Sequence, residues 1–148
     1  STCTEYRQVD FDTLLAESDF LSLHCPLSEL TMNLIGEAAL KKMKKTVILL
    51  NVARGRVVDN RALYQALVDG GIAAAGLDVV ESEPLELSNP LAGLKDSNQL
   101  IITPHLAWAS VEARTRCVWE AHENIAAFLR GESRNVVNLD KIGISIVN

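Results

Sequence analysis

Four clusters of reactive or conformationally special residues interrupt a largely apolar chain. They are His24-Cys25-Pro26-Leu27, Asn51-Val52-Ala53-Arg54-Gly55, Asp78 followed by Glu81 and Glu83-Pro84, and Thr103-Pro104-His105. Arg54 carries a planar, permanently charged guanidinium that can grip a carboxylate through two parallel hydrogen bonds. The plainer alternative is an arginine that ties its loop to a neighbouring acid. Histidine titrates near neutrality, which suits His105 to exchanging a proton with a reacting oxygen. A lone histidine is more often an ordinary core or surface residue, so this reading gains weight only with a carboxylate partner, and Glu81 and Glu83 are two acids of one loop. Asp78 either caps the turn that follows it or binds a ligand.

The clusters share a position relative to four short apolar runs, Phe20–Leu23, Thr46–Leu50, Ile72–Leu77 and Leu100–Ile102. Each run is continuously apolar, as strands covered on both faces are, and helical patterns separate most of them. The expected fold is therefore α/β, a parallel sheet built from βαβ units. In such a sheet ligands bind outside the carboxyl ends of the strands, and all four clusters directly follow a run.

The helices that must connect the strands carry readable signals. Asp59 precedes Ala62, Leu63, Ala66 and Leu67 at helical spacing, and Gly70-Gly71 supplies the stop. A second helix is expected over Gly36–Met43, with Lys41, Lys42, Lys44 and Lys45 near its carboxyl end, facing solvent rather than forming a binding patch. A longer one is expected between Ser110 and Gly131, where Val111, Thr115, Val118, His122, Ile125 and Leu129 define a face that should be buried. The stretch from Val79 to Asn98, about twenty residues with two prolines and no period, reads as a long functional loop.

Composition narrows the classes of partner. At 148 residues, 48% hydrophobic and 22% charged, the chain has the material for one compact core. A net charge of −5 without a basic stripe disfavours nucleic acid and anionic lipid. Cys3, Cys25 and Cys117 are odd in number and irregularly spaced, which reads as reduced thiols, and no stretch resembles a signal peptide or a membrane span; a cytoplasmic location is the default expectation. His24, His105 and His122 are scattered and lack metal-ligand spacing, so no metal is expected, and no Gly-x-Ser-x-Gly elbow points to a serine hydrolase.

The four clusters, together with Gly76-Leu77-Asp78-Val79 and the continuation Leu106-Ala107-Trp108, resemble in order and spacing the successive signatures of the D-2-hydroxyacid dehydrogenases. The likeness runs over roughly residues 5–138, leaving 139–148 as a tail. It implies the second half of a Rossmann-type nucleotide-binding domain, with NAD as cofactor and NADP not excluded. Arg54 would bind the substrate carboxylate and polarise the keto oxygen, His105 would be the acid/base, and Glu83, which precedes Pro84 as the family's glutamate does, would pair with it. Such a carboxylate favours an imidazolium and fixes its tautomer. By the same resemblance Cys25, Pro26, Val52, Ala53, Arg54, Asp78, His105 and Ala107 would line the cofactor, with Asp78 on the nicotinamide carboxamide. Trp108, with Arg54 and His105, would face the substrate, although a tryptophan filling the core is the alternative. Cys25 would be inert packing.

The resemblance implies a small 2-keto or 2-hydroxy acid as substrate, nearest to hydroxypyruvate or glycerate, and a homodimer for the full-length enzyme. The sequence holds no Gly-x-Gly-x-x-Gly turn and no ribose-binding acid after one. By resemblance those features and the substrate domain lie outside it, so the chain alone is expected neither to bind NAD tightly nor to turn over substrate, and to expose a sheet edge. The alternative function is an NAD-sensing regulatory binding protein of the same fold, similar to the related corepressors, which keep the same three residues.

Overall fold

The computed structural model describes residues 6–137. The chain parts into two compact units between Leu106 and Ala107. The first holds helix α1 (Phe11–Glu17), strand β1 (Phe20–Leu23), helix α2 (Glu37–Leu40), strand β2 (Ile48–Asn51), helix α3 (Asn60–Val68), and strands β3 (Ala74–Leu77) and β4 (Leu100–Ile102). The second holds helix α4 (Val111–Leu129).

All four strands pair in parallel, in the order β1-β2-β3-β4. The register aligns Leu23 with Asn51, Asn51 with Leu77, and Leu77 with Ile102. His24, Val52, Asp78 and Thr103, each one residue further on, therefore leave the sheet along one edge. One face, carrying Leu21, Leu49, Ala75 and Leu100, is buried and joins a single apolar cluster with Leu40, Met43, Leu63, Leu67 and Leu91. Side chains alternate between faces along a strand, and the other face is not sealed: Phe20, Ser22 and Ile101 are exposed, and Ile48, Leu50, Ala74 and Gly76 are partly so. The expectation of cover on both faces is thus corrected. A continuous apolar run shows that both faces are apolar, not that the same residues supply both covers.

The helix signals translate directly. Asp59 caps α3, accepting from the amides of Arg61 and Ala62, and Gly70 takes the left-handed conformation (φ 65°) that ends it. Ser110 caps α4 through the amide of Ala113. Helix α2 is shorter than the expected Gly36–Met43, although Met43 is still buried. The lysines behind it do face solvent, where Lys41 pairs with Glu37, Lys42 with Asp12 and Lys44 with Asp19. The long loop after β3 contains a short 3-10 turn, Pro90–Leu94, capped by Asn89. Helix α4 overturns the expected buried face: Val111, Val118, Ile125 and Leu129 are all exposed, and Ala127 is its one buried residue. Its periodicity records an apolar stripe. Among the described residues no helix is long and apolar enough to cross a membrane.

Candidate active site

Two cavities open along the carboxyl edge of the sheet, both within the first unit. One, of about 480 Å³, is lined by His24, Cys25, Pro26, Leu27, Val52, Ala53 and Arg54, beyond β1 and β2. The other, of about 330 Å³, is lined by Asp78, Val80, Glu83, Pro84, Leu85, Ile102, Thr103, Pro104 and His105, beyond β3 and β4.

In the first cavity Arg54 is exposed, and its Nη1 donates to the carbonyl of Ala53 at 2.7 Å. That bond is a local one, which a planar anion can replace with two charge-assisted bonds. Cys25, half-buried and reduced, packs against the apolar core, consistent with a packing residue.

In the second cavity Nδ1 of His105 lies 3.0 Å from Oε2 of Glu83, and both side chains are a little over 40% exposed. The pairing holds the Glu83 carboxyl below the usual carboxylate range, chiefly through the hydrogen bond from His105, against some desolvation, with a weaker contribution from the Val80 amide at 3.4 Å. Glu81, the rival acid, instead lines a separate polar cavity with Asp59 and Glu86. The choice between the two glutamates, open on local sequence alone, is thus resolved by geometry.

Asp78 is buried, and its Oδ1 accepts from the hydroxyl of Thr103 and, at 2.8 Å, from the amide of Leu106. Its carbonyl accepts the His105 amide at 2.9 Å. These bonds hold His105 at φ 57°, a left-handed conformation that costs a non-glycine residue on the order of 1 kcal/mol. The side chain of Asp78 thus braces the distant Thr103–Leu106 loop, not the turn that directly follows it.

Sequence reasoning missed Gly55 as the point of close backbone contact between the Arg54 loop and the segment after Asp78. A Cβ there would stand 2.0 Å from the carbonyl carbon and oxygen of Val80, so only glycine lets the Arg54 loop and the Glu83 loop lie backbone to backbone. The Arg-Gly pair was visible, but the contact joins segments distant in sequence. Ala107 and Trp108 belong to the second unit and are exposed, Trp108 by 55%.

A parallel sheet whose carboxyl edge gathers an arginine and a histidine–carboxylate pair defines the site-bearing half of a Rossmann-type nucleotide-binding domain. The chain belongs to the family described as D-isomer specific 2-hydroxyacid dehydrogenase, NAD binding domain, which matches residues 2–107. NAD is the cofactor that goes with this domain. A glyoxylate reductase of Korarchaeum cryptofilum is 48% identical over 137 residues, covering 92% of this chain and 40% of the relative. A glycerate dehydrogenase of Methylorubrum extorquens is 49% identical over 129 residues, covering 87% and 41%. The NAD-complexed D-isomer specific 2-hydroxyacid dehydrogenase of Lactobacillus delbrueckii ssp. bulgaricus superposes with a TM-score of 0.76 at 37% identity, covering 86% of this chain and 41% of that one. The chain thus spans about two fifths of the length of these relatives.

The residues present suit the nicotinamide end of NAD. Cys25, Pro26, Val52 and Ala53 give one cavity apolar walls and main-chain groups, and a buried carboxylate, Asp78, stands on the same sheet edge.

Proposed function

We propose that the protein carrying this chain interconverts small 2-keto acids and D-2-hydroxy acids, with hydroxypyruvate and glyoxylate as the preferred keto acids. The observation that carries this reading is the Glu83–His105 contact at 3.0 Å, on the sheet edge that also presents Arg54. Arg54 binds the substrate carboxylate and places its positive charge near the keto oxygen, where negative charge grows as the carbonyl is reduced. NADH held against Cys25, Pro26, Val52 and Ala53 would supply the hydride to the carbonyl carbon. His105 gives the proton that turns the nascent alkoxide into a hydroxyl, and takes it back in the reverse direction. Because Nδ1 is engaged by Glu83, proton transfer falls to Nε2. The carboxylate orients the ring and favours its protonated form.

In this reading Cys25, Pro26, Val52, Ala53 and Asp78 line the nicotinamide. The names of the relatives, glyoxylate reductase, glycerate dehydrogenase and hydroxypyruvate reductase, support that substrate range.

The test is a turnover panel with the full-length protein. Hydroxypyruvate, glyoxylate, pyruvate and phosphohydroxypyruvate are each supplied with NADH or NADPH, for the wild type and for His105→Gln and Arg54→Gln. The expected result is reduction of hydroxypyruvate and glyoxylate, with His105→Gln lowering kcat by about 10²- to 10⁴-fold and Arg54→Gln also raising KM. A wild-type protein that reduces none of the four would sink the reading.

A further inference from the structure

Asn51 ends β2 on the buried face of the sheet, two residues beyond Leu49 and registered between Leu23 and Leu77. It is fully buried in a row that is otherwise apolar. A leucine would pack there without the cost of desolvating an amide, so the carboxamide needs a compensating role. Both its polar groups are used, and both on the loop that follows. Oδ1 accepts from the amide of Ala53 at 3.0 Å, and Nδ2 donates to the carbonyl of Arg54 at 2.9 Å. Ala53, whose amide is fixed in this way, offers its own carbonyl to Nη1 of Arg54. The main-chain carbonyl of Asn51 also receives the Asp78 amide at 2.9 Å, tying the start of the loop to the neighbouring strand end.

We infer that Asn51 is the positioning residue of Arg54: its buried carboxamide clamps the loop from inside and so sets where the guanidinium meets the substrate carboxylate. The inference rests on the proposed reduction of 2-keto acids. It extends that reading to a residue that touches neither substrate nor cofactor. Because the clamp acts on the loop that carries Arg54, its loss falls chiefly on the binding of the carboxylate rather than on proton transfer, with a smaller loss of cofactor affinity because Val52 and Ala53 belong to the same loop.

The test uses the full-length protein with NADH and the best keto acid of the panel. Asn51→Ala is expected to raise KM about tenfold, the equivalent of one lost buried hydrogen bond, with a smaller change in kcat. The dissociation constant for NADH should rise less than KM does, by about threefold at most. In an Arg54→Gln background the same substitution should change KM by less than about twofold, since there is no longer a guanidinium to aim. Asn51→Ser, small and neutral, also removes the carboxamide and is expected to raise KM in the same direction; it serves as the readout if Asn51→Ala does not fold. Effects of Asn51 and Arg54 that multiply, or an Asn51 variant that weakens NADH as much as substrate, would overturn the inference while leaving the proposed reaction intact. A wild-type protein inactive on every keto acid removes the proposed reaction itself, and this inference with it.

Discussion

The Glu83–His105 pair depends on one hydrogen bond between side chains that are both open to water. Glu83 is held in its charged form mainly by His105, so the pairing adds stability above the ordinary carboxylate pKa and loses it as pH falls through the lowered value. Exposure keeps that contribution small. Its signature is spectroscopic: in His105→Ala the Glu83 carboxyl should titrate higher than in the wild type, because the largest lowering influence is gone. NMR of the Glu83 carboxyl carbon across the acid range checks this, and an unchanged midpoint would mean that the pair does not form in solution. The pairing was within reach of family likeness, whereas the residues alone left Glu81 and Glu83 as equals two positions apart.

Among the elements, the two site loops are fastened to one another by main chain rather than by side chains. Gly55 sits directly under the Val80 carbonyl, and Val80 in turn leads to Glu83. Backbone cannot swing aside as a flexible side chain does, so Gly55→Ala must push the Arg54 loop and the Glu83 loop apart. The expected cost is about 3 kcal/mol or more of folding stability, read from urea denaturation. A variant within about 0.5 kcal/mol of wild type would show that the loops separate freely in solution. Element positions themselves were largely legible. Strands β1 and β4 fall on Phe20–Leu23 and Leu100–Ile102 as their apolar runs indicate, and α3 and α4 start after Asp59 and Ser110, because caps and periodicity are local properties. Helix α1 escaped notice because seven residues with one buried leucine, Leu15, leave too little period to read, although Asp10 caps it through Thr13.

For the whole molecule, the first unit brings together an arginine, a histidine–carboxylate pair and a buried aspartate along one edge, but no glycine-rich phosphate turn. Such a turn supplies the main-chain donors and close approach that hold the pyrophosphate. A preparation of these 148 residues by themselves is therefore expected to show no saturation by NAD up to about 1 mM in calorimetry and no turnover of hydroxypyruvate. Tight binding or measurable turnover would mean that another part of the chain replaces the phosphate turn. The open sheet face and the exposed stripe of α4 were the least legible features. Sequence records that a surface is apolar, while its cover is a property of whatever packs there.

By itself the sequence determined the strands, the main helix caps and the placing of Arg54, Asp78 and His105 after strands, since each follows from neighbours a few residues apart. Tertiary structure decided the rest. It turned Asp78 into the brace of the His105 loop and formed the Glu83–His105 pairing that family likeness had already favoured over Glu81. It also gave Asn51 and Gly55 their work at Arg54. The physical reason is common to all of these: hydrogen bonds and backbone contacts between sheet-edge loops are made across parallel strands, between residues whose separation along the chain carries no local signal.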